Sequence, residues 1–584
     1  MTPNDSTTRV TGSDGRTIFA DNHVAAQLDG QVDPLSRPSE HQWQHVKQNA
    51  SRTVHRGRAG QLDIFVKHFH SHSLLHRLAG RIGRSDAQVE FEAMEHLLAR
   101  GVRTLRPLAA CWTGPNQWVA TEALEPSQDL ATWHEDQLDR GDQGRRQIRL
   151  ATRLLGKLIG RMHACGVLHN DLHCGNVLID QAADRLELVL TDLHRTSRRR
   201  RLSRRSRAMN LAQLLHDRFE FSSRNDRLRF LKSYLRASGA GGSIRGWQRL
   251  IEHLSARHRR RQHAKRDRRA MGNNRYFHRM QIGPWKGHVI LASKRKLAGS
   301  LAAHQKFTLP QWQEALGDID SLTSGPDVEV VKQSNSGIVV RRRLTIGGVE
   351  VDVFIKRPRR KRRWKVLLDC LRTSRTLRAF QLGHALLTRR ISTALPLAAF
   401  EIRRGPCLKD SILITEAVEA PNMQEFFETW LSKTPKGDTP LTVGQQRHLA
   451  QEVLARLGRM LQILHDNSFA HRDLKASNIL VLWSPGQRPE VVLIDMDGLK
   501  HVWLITTRRK YQGLMRLNVS LLLCDSVNHA GRLRMLLGYL RRPGCGRIDF
   551  KPSWRVLELW SARKIRQQIR SRRKKQRAQR RPSN

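Results

Sequence analysis

Residues 169–176 read HNDLHCGN, and residues 471–478 read HRDLKASN. In each stretch an Asn stands five residues after the Asp. A further Asp follows that first Asp by 21 or 22 residues, Asp192 in the first copy and Asp495 in the second. One such pattern could arise by chance. Two of them about 300 residues apart indicate that one large unit is present twice.

Flanking segments extend the duplication. Residues 63–67 (DIFVK) and 352–356 (DVFIK) each read as a strand that ends in Lys. The tripeptide TEA recurs at 121–123 and 415–417, after an apolar stretch in both copies. Corresponding positions keep an offset of 289 to 302 residues, which is too long for a short-period solenoid and fits a duplicated domain.

The residue types in this pattern are those that phosphoryl transfer requires, and their spacing is that of protein-kinase-like folds. One Asp orients the acceptor hydroxyl and takes its proton, oxygen ligands hold Mg²⁺, and a Lys neutralises the phosphate oxygens of ATP. The predicted catalytic residues are Asp171 and Asp473. The predicted metal ligands are Asn176, Asp192, Asn478 and Asp495. The predicted ATP-binding residues are Lys67, Glu90, Glu122, Lys356, Glu416 and Lys475.

The sequence therefore predicts an α+β protein with two tandem protein-kinase-like domains, each with a small β-rich lobe and a larger helical lobe. The two copies differ. Glu90 can pair with Lys67, whereas the second copy has no acid in register and aligns residues 379–381 there. The second domain is then a weak kinase, a kinase with another pairing, or a regulatory pseudokinase. Neither copy has a clear G-x-G-x-x-G loop, although residues 49–60 and 334–348 occupy its place.

The motifs at 169–176 and 192–195 (DLHR), with their counterparts at 471–478 and 494–497, resemble the bacterial lipopolysaccharide core kinases of the Kdo/WaaP type. The resemblance covers roughly residues 40–290 and 325–550. It implies a kinase-like fold, ATP and Mg²⁺ as cofactors, and a sugar hydroxyl of the lipopolysaccharide core as acceptor. Two alternatives stay open: a protein Ser/Thr kinase, because HRDLK is closer to protein-kinase usage, and a tandem pseudokinase scaffold that binds a polyanion.

The composition points to an anionic partner. The chain has 104 Lys and Arg against 52 Asp and Glu, a net charge of +52. Such a charge repels itself unless a polyanion neutralises it. An anionic glycolipid acceptor and peripheral contact with an anionic membrane surface both fit. Nucleic acid is compatible but not favoured, because the basic runs hold almost no aromatic residues. The runs are 195–207, 257–269, 357–363 and 563–581.

Segment boundaries follow from composition shifts. We predict a disordered N-terminus at 1–38, the first kinase-like domain at 39–295, a linker at 296–327, the second domain at 328–560 and a basic C-terminal tail at 561–584. The seven Cys are scattered, without a C-x-x-C pair, which favours reduced thiols. The N-terminus lacks a secretory signal, so we expect a cytoplasmic protein, with peripheral contact at the inner membrane as a further hypothesis.

Overall fold

The protein is described by a computed structural model. It covers residues 7–11, 17–21, 35–49, 51–59, 61–70, 85–113, 117–181, 185–215, 222–292, 305–335, 337–359, 373–431, 441–524, 526–541 and 548–579. Contacts divide the chain into two units, Met1–Arg260 and Arg261–Asn584.

The first unit begins with a seven-stranded antiparallel sheet in the order β1-β2-β6-β7-β5-β4-β3. Its strands are β1 (Thr7–Thr11), β2 (Thr17–Asp21), β3 (Gln44–Asn49), β4 (Arg52–Ala59), β5 (Leu62–Phe69), β6 (Pro107–Cys111) and β7 (Gln117–Glu122). Helix α1 (Asp86–Leu98) lies between β5 and β6 in the chain. The part that follows carries the short strands β8 (Ser127–Asp129), β9 (Val167–His169), β10 (Val177–Asp180), β11 (Glu187–Leu190) and β12 (Thr196–Arg198). Its helices are α2 (Leu130–Asp139), α3 (Gly141–Ala164), α4 (Arg204–Leu215), α5 (Arg224–Ser238) and α6 (Ile244–Arg269), the last of which continues past Arg260 into the second unit.

The second unit repeats this arrangement, with the sheet order β13-β14-β18-β19-β17-β16-β15. Its sheet strands are β13 (Phe277–Ile282), β14 (Trp285–Ile290), β15 (Glu329–Ser334), β16 (Gly337–Ile346), β17 (Val349–Pro358), β18 (Pro396–Arg404) and β19 (Cys407–Glu416). The short strands are β20 (Phe469–His471), β21 (Ile479–Leu482), β22 (Glu490–Leu493) and β23 (Leu499–His501). The helices are α7 (Leu309–Leu316), α8 (Arg375–Thr388), α9 (Met423–Glu425), α10 (Val443–Asp466), α11 (Thr507–Leu521), α12 (His529–Leu540) and α13 (Lys551–Gln579).

Both units thus place a β-rich lobe before a helical lobe, which confirms the predicted α+β fold with two tandem bilobal domains. Among the described helices, none has the length and apolar composition needed to cross a bilayer.

The domain boundaries need correction. Residues 277–290, predicted within the first domain, form a hairpin whose strand β14 pairs with β18 of the second sheet. The described part of the predicted linker contains α7, whose Trp312 is fully buried in the core of the second unit. The second unit therefore starts at Arg261 rather than at residue 328. Both elements consist of short apolar stretches between polar residues, so composition alone did not predict them.

The predicted disordered N-terminus also differs from the structure. Strands β1 and β2 pair with each other, and Ile18 of β2 pairs with Cys111 of β6. This hairpin is the first unit's equivalent of β13–β14. The other residues of that segment, apart from 35–38, lie outside the described residues. The C-terminal tail predicted at 561–584 continues helix α13 to Gln579, and 580–584 lie outside the described residues.

A buried polar network joins helices α3, α4 and α5 of the first unit to the end of strand β9. His163 Nδ1 lies 2.9 Å from the hydroxyl of Tyr234, and its Nε2 lies 3.0 Å from Asn210 Oδ1. Asn210 donates from Nδ2 to the carbonyl of His169 at 2.6 Å. Because Asn210 Oδ1 can only accept, we infer that the His163 proton is on Nε2. In the second unit His465 Nδ1 contacts the Tyr539 hydroxyl at 3.0 Å.

Burial keeps these histidines neutral and makes stability depend on pH. Burial lowers the pKa of His163 and His465 to about 4 and that of His384 to about 3. The unfolded chain binds protons at these groups below pH 6.5 and the folded chain does not. The free energy of unfolding therefore decreases as the pH is lowered from about 6.5 to 4. Each group lowers the free energy of unfolding by roughly 2 kcal/mol at pH 5. We expect a lower melting temperature by calorimetry at pH 5 than at pH 7. Equal values would show that these histidines are not buried in the neutral form.

Candidate active site

Lys67 of β5 links the sheet to a helix. Strand alternation buries Ile64 and Val66 on one face of the sheet and places Lys67 on the other. Helix α1 starts where Ser85 accepts a hydrogen bond from the backbone N–H of residue 88, and helical spacing then buries Glu90. Lys67 Nζ donates to Glu90 Oε1 at 2.6 Å. The predicted Lys–Glu pair is therefore present in the first unit.

The predicted catalytic loop at 169–176 is closed by a hydrogen bond between its own residues. Asn176 donates from Nδ2 to the carbonyl of Asp171 at 2.9 Å, which leaves its Oδ1 as the atom able to bind a cation. The N–H of Thr191 donates to the carbonyl of Asn176 at 3.0 Å, so Asn176 lies beside Asp192. The carboxylate of Asp171 is 42% exposed, and the nearest described cation is Arg195 at 3.8 Å.

His169 supports the same loop from within the core. Its Nδ1 accepts from the N–H of Asp171 at 3.3 Å, and its Nε2 lies 3.1 Å from the carbonyl of Thr191. Burial lowers the pKa of His169. A neutral ring that accepts at Nδ1 carries its proton on Nε2 and donates it to Thr191. His169 thereby links Asp171 to Thr191, the residue that precedes Asp192.

Asp192 is the electrostatic centre of the site. Its backbone lies in the left-handed region, with φ of 64°. Its carboxylate contacts Lys67 Nζ at 3.3 Å, His194 Nδ1 at 2.7 Å and Arg52 Nη2 at 2.8 Å, with a second contact to Arg52 Nη1. Burial alone would raise the pKa of Asp192. The hydrogen bond with His194, the charge of Lys67 and the hydrogen bond with Arg52 outweigh burial and hold that pKa far below its usual range. Asp192 is therefore ionised at every physiological pH.

Arg52 was missed by the sequence analysis. It is the first residue of β4, paired with Asn49 across the β3–β4 turn and with Phe69 on β5. This turn occupies the place expected for a glycine-rich loop. The same register in the second unit places Gly337 opposite Ser334 and Pro358, so Gly337 is the counterpart of Arg52. Comparison of the two repeats was the one available signal, because a single Arg in a basic chain does not stand out.

The second unit pairs its Lys in another way. Lys356 Nζ lies 2.8 Å from Asp497 and 3.5 Å from Asp495. Burial would lower the pKa of Lys356, but the two carboxylates raise it above its usual value. Ala379 stands five residues after the helix cap Ser374, as Glu90 does after its own cap. Of the three possibilities left open by the sequence, this geometry corresponds to another pairing.

The predicted catalytic loop of the second unit repeats the backbone contacts of the first. Asn478 donates from Nδ2 to the carbonyl of Asp473 at 2.9 Å. The N–H of Ile494 donates to the carbonyl of Asn478 at 3.1 Å. Lys475 Nζ lies 3.4 Å from Asp473 Oδ2. The predicted residues Asp473, Asn478 and Asp495 therefore occupy equivalent places to those of the first unit.

Glu122 and Glu416, predicted to bind ATP, lie apart from Lys67 and Lys356 and the carboxylates that these two lysines contact. Glu122 pairs with Ile64 in register, three residues or about 10 Å along the strand from Lys67. Its side chain lies 3.6 Å from Arg106. Glu416 is fully buried, at the corresponding end of β19. Both positions end the strand that leads into the helical lobe.

The donor set suits Mg²⁺. Ligand atoms of Glu90, Asp192 and His194 lie within 4.8 Å of one another, and Asn176 offers a carbonyl oxygen beside Asp192. Mg²⁺ prefers oxygen ligands and keeps several waters, so Asp192 and Asn176 are the suitable pair. The ionised state of Asp192 fits this role.

The chain is similar to one known protein family and to several solved structures. The model of the "Lipopolysaccharide kinase (Kdo/WaaP) family" matches residues 41–234 and 340–539. The solved structure "WaaP in complex with acyl carrier protein" is 25% identical with a TM-score of 0.34, and the match covers 42% of this chain and 97% of that chain. The "BubR1 kinase domain" structure is 12% identical with a TM-score of 0.22, covering 32% of this chain and 49% of that one. No curated protein matches the chain.

Proposed function

The chain belongs to the lipopolysaccharide kinase (Kdo/WaaP) family, and we propose that it transfers the γ-phosphate of ATP to a hydroxyl of a lipopolysaccharide-core or related sugar. The first unit is the main catalytic site in this proposal. The observation that carries it is the convergence of Lys67, Glu90 and Asp192 beside the closed catalytic loop. Transfer of labelled phosphate from ATP to a lipopolysaccharide extract tests it.

Each residue has a role that follows from its surroundings. Asp171, half-exposed, accepts the proton of the acceptor hydroxyl. Asp192 and Asn176 hold Mg²⁺, which neutralises phosphate charge when bound. Lys67, positioned by Glu90, contacts the phosphate oxygens. The proposal places the reaction in the cytoplasm, where ATP is available, with an anionic glycolipid as acceptor.

The second unit has a different assignment. Its Lys356 is held by two carboxylates of its own metal motif rather than by a helix Glu. In both units the Lys also contacts the Asp of the metal motif, at 3.3 Å for Lys67 and 3.5 Å for Lys356, so the difference lies in the missing helix Glu. We assign the second unit a weaker catalytic or a regulatory role.

The first unit also needs a substitute for the missing glycine-rich loop. In protein kinases, backbone N–H groups of that loop cover the phosphates. Arg52 stands at the same turn, and its partly buried guanidinium, with the side chain 17% exposed, lies next to Lys67 and Asp192. Guanidinium groups bind phosphates through two parallel hydrogen bonds. We assign Arg52 to the phosphates of ATP.

Arg52→Ala is expected to raise the KM for ATP by about tenfold to a hundredfold, because a hydrogen bond to a charged group contributes about 1.5–3 kcal/mol. Steady-state kinetics at varied ATP concentration measures this. Arg52→Lys keeps the charge but loses the two-pronged geometry, so its KM should lie between those of the wild type and Arg52→Ala. An unchanged KM in both variants would remove Arg52 from the nucleotide site.

A further inference from the structure

Helices α3 and α5 of the first unit pack closely because glycines lie at their contact. A Cβ on Gly156 would lie 2.5 Å from the carbonyl oxygen of Phe230, and one on Gly160 would lie 2.7 Å from the Cβ of Ala237. Neither position can carry a side chain without separating the helices. Side chains on the outer edges of the two helices therefore face one another across a narrow groove.

That groove is lined by two rows of cations. Helical spacing of four residues on α3, and of three and four on α5, places each row on one face of its helix. The cavity between them has a volume of about 450 Å³. The cations are Arg153, Lys157, Arg161, Arg229, Lys232 and Arg236.

Most of this charge is not compensated within the described part of the chain. Arg229 pairs with Asp226 at 2.6 Å, and Arg161 donates to the carbonyl of Gly101 at 3.4 Å. None of the described carboxylates lies within 4.0 Å of the other four cations. Like charges held close together destabilise the folded state, and an anion placed between them removes that cost.

The second unit shows that the fold does not require three of these cations, while the counterparts of Lys157, Arg229 and Arg236 are the cations Arg459, Arg534 and Arg541. Its helices α10 and α12 also pack on each other, with Gly458 in the place of Gly156 and the pair His465 and Tyr539 in the place of His163 and Tyr234. Counting from these anchors, the counterparts of Arg153, Arg161 and Lys232 are apolar. They are Ala455, Ile463 and Leu537. Three cations of the first unit's groove are thus an addition to a helix pair that packs without them.

We propose that this groove binds a compact anion with two or more phosphate groups, at a site separate from the ATP site. The residues that line the groove do not include Lys67, Glu90 or Asp192, which converge at the proposed ATP site. The row on α3 extends eight residues, or about 12 Å, which suits a group with two or three phosphates rather than a long polymer. Either a soluble oligophosphate or a phosphorylated lipid headgroup has this chemistry.

The test is calorimetric titration of the full chain with inorganic tripolyphosphate. The groove variant is Arg153→Gln with Lys157→Gln and Lys232→Gln. A matched control removes three cations from the second unit's helix pair, Arg459→Gln with Arg534→Gln and Arg541→Gln. The groove variant is expected to weaken binding by at least about tenfold, because each lost charge-assisted contact contributes to affinity. The control should bind as the wild type does, and Lys67→Ala should keep the part of the binding that the groove variant loses.

Several results would overturn the proposal. Equal weakening in the control would mean that net charge alone attracts the anion. Loss of binding in Lys67→Ala would place the anion in the ATP site. A groove variant that loses affinity for a DNA duplex but not for tripolyphosphate would point to nucleic acid instead. The substituted side chains are exposed, so a melting temperature equal to or above that of the wild type should accompany the loss of binding.

A vesicle assay separates the two sources of the phosphates. Flotation compares vesicles of phosphatidylcholine with vesicles that also contain a lipid with a bisphosphorylated headgroup. Retention on the latter, lost in the groove variant, supports the proposal with a lipid-borne ligand. Tripolyphosphate binding without groove-dependent retention supports it with a soluble ligand.

Discussion

Asp171→Ala is expected to lower kcat for phosphate transfer by about 10²- to 10⁴-fold, the usual contribution of a positioned acid or base. The carboxylate of Asp171 is half-exposed beside the loop that Asn176 and His169 hold in place. Its hydrogen bonds to that loop come from its backbone rather than its side chain, so the variant should fold normally. Initial rates of label transfer from ATP, with circular dichroism as a check of folding, measure the effect.

The second unit supplies the matched control for this prediction. Asp473 occupies the same loop position, with Asn478 bonded to its carbonyl at the same 2.9 Å. Asp473→Ala should retain most of the activity, because Lys356 is held by Asp495 and Asp497 instead of a helix Glu. A larger loss in Asp473→Ala than in Asp171→Ala would transfer the main activity to the second unit.

Asp192→Asn should have the other large effect. The substitution removes the negative charge that Lys67, Arg52 and His194 share, and it removes the anionic oxygen that holds Mg²⁺. A metal ion contributes several kcal/mol to the transition state, so kcat should fall by about 10³-fold. The increase in melting temperature caused by ATP with Mg²⁺ should also disappear, since that increase measures ligand binding to the folded state.

Asp495→Asn in the second unit is the corresponding control. It should leave most of the ATP-dependent stabilisation of the first unit unchanged. If Asp192→Asn kept both its activity and its stabilisation by ATP with Mg²⁺, the assignment of Asp192 as metal ligand would be wrong. The variant's stability without ligand should be measured in the same experiment, because three cationic or polar groups lose their common partner.

Short-range motifs made much of the site predictable from sequence. Asp171 and Asn176 lie in one turn of the chain, so their spacing alone determines that they meet. The pairing of Lys67 with Glu90 could be predicted because strand and helix periodicity place the two side chains on the faces of β5 and α1 that meet. These relations survive wherever the local pattern is intact, as it is in both repeats.

Long-range contacts could not be read in the same way. Arg52 reaches Asp192 across 140 residues, and its role depends on the β3–β4 turn pointing into the site. The sequence shows Asp497 close to Asp495. Only the contact with Lys356 in the structure shows that Asp497 takes the place of the helix Glu. The hairpin β13–β14 was assigned to the wrong domain because its partner β18 lies more than a hundred residues later.

The most direct test of the account offers the wild-type protein radiolabelled ATP together with a lipopolysaccharide extract and, separately, a generic protein substrate. Asp171→Ala, Asp473→Ala and the double variant with both substitutions are assayed beside it. We predict label in the glycolipid, lost in Asp171→Ala and largely retained in Asp473→Ala. Label in protein alone would contradict the proposed acceptor. Transfer no greater than in the double variant would contradict the proposed kinase activity itself.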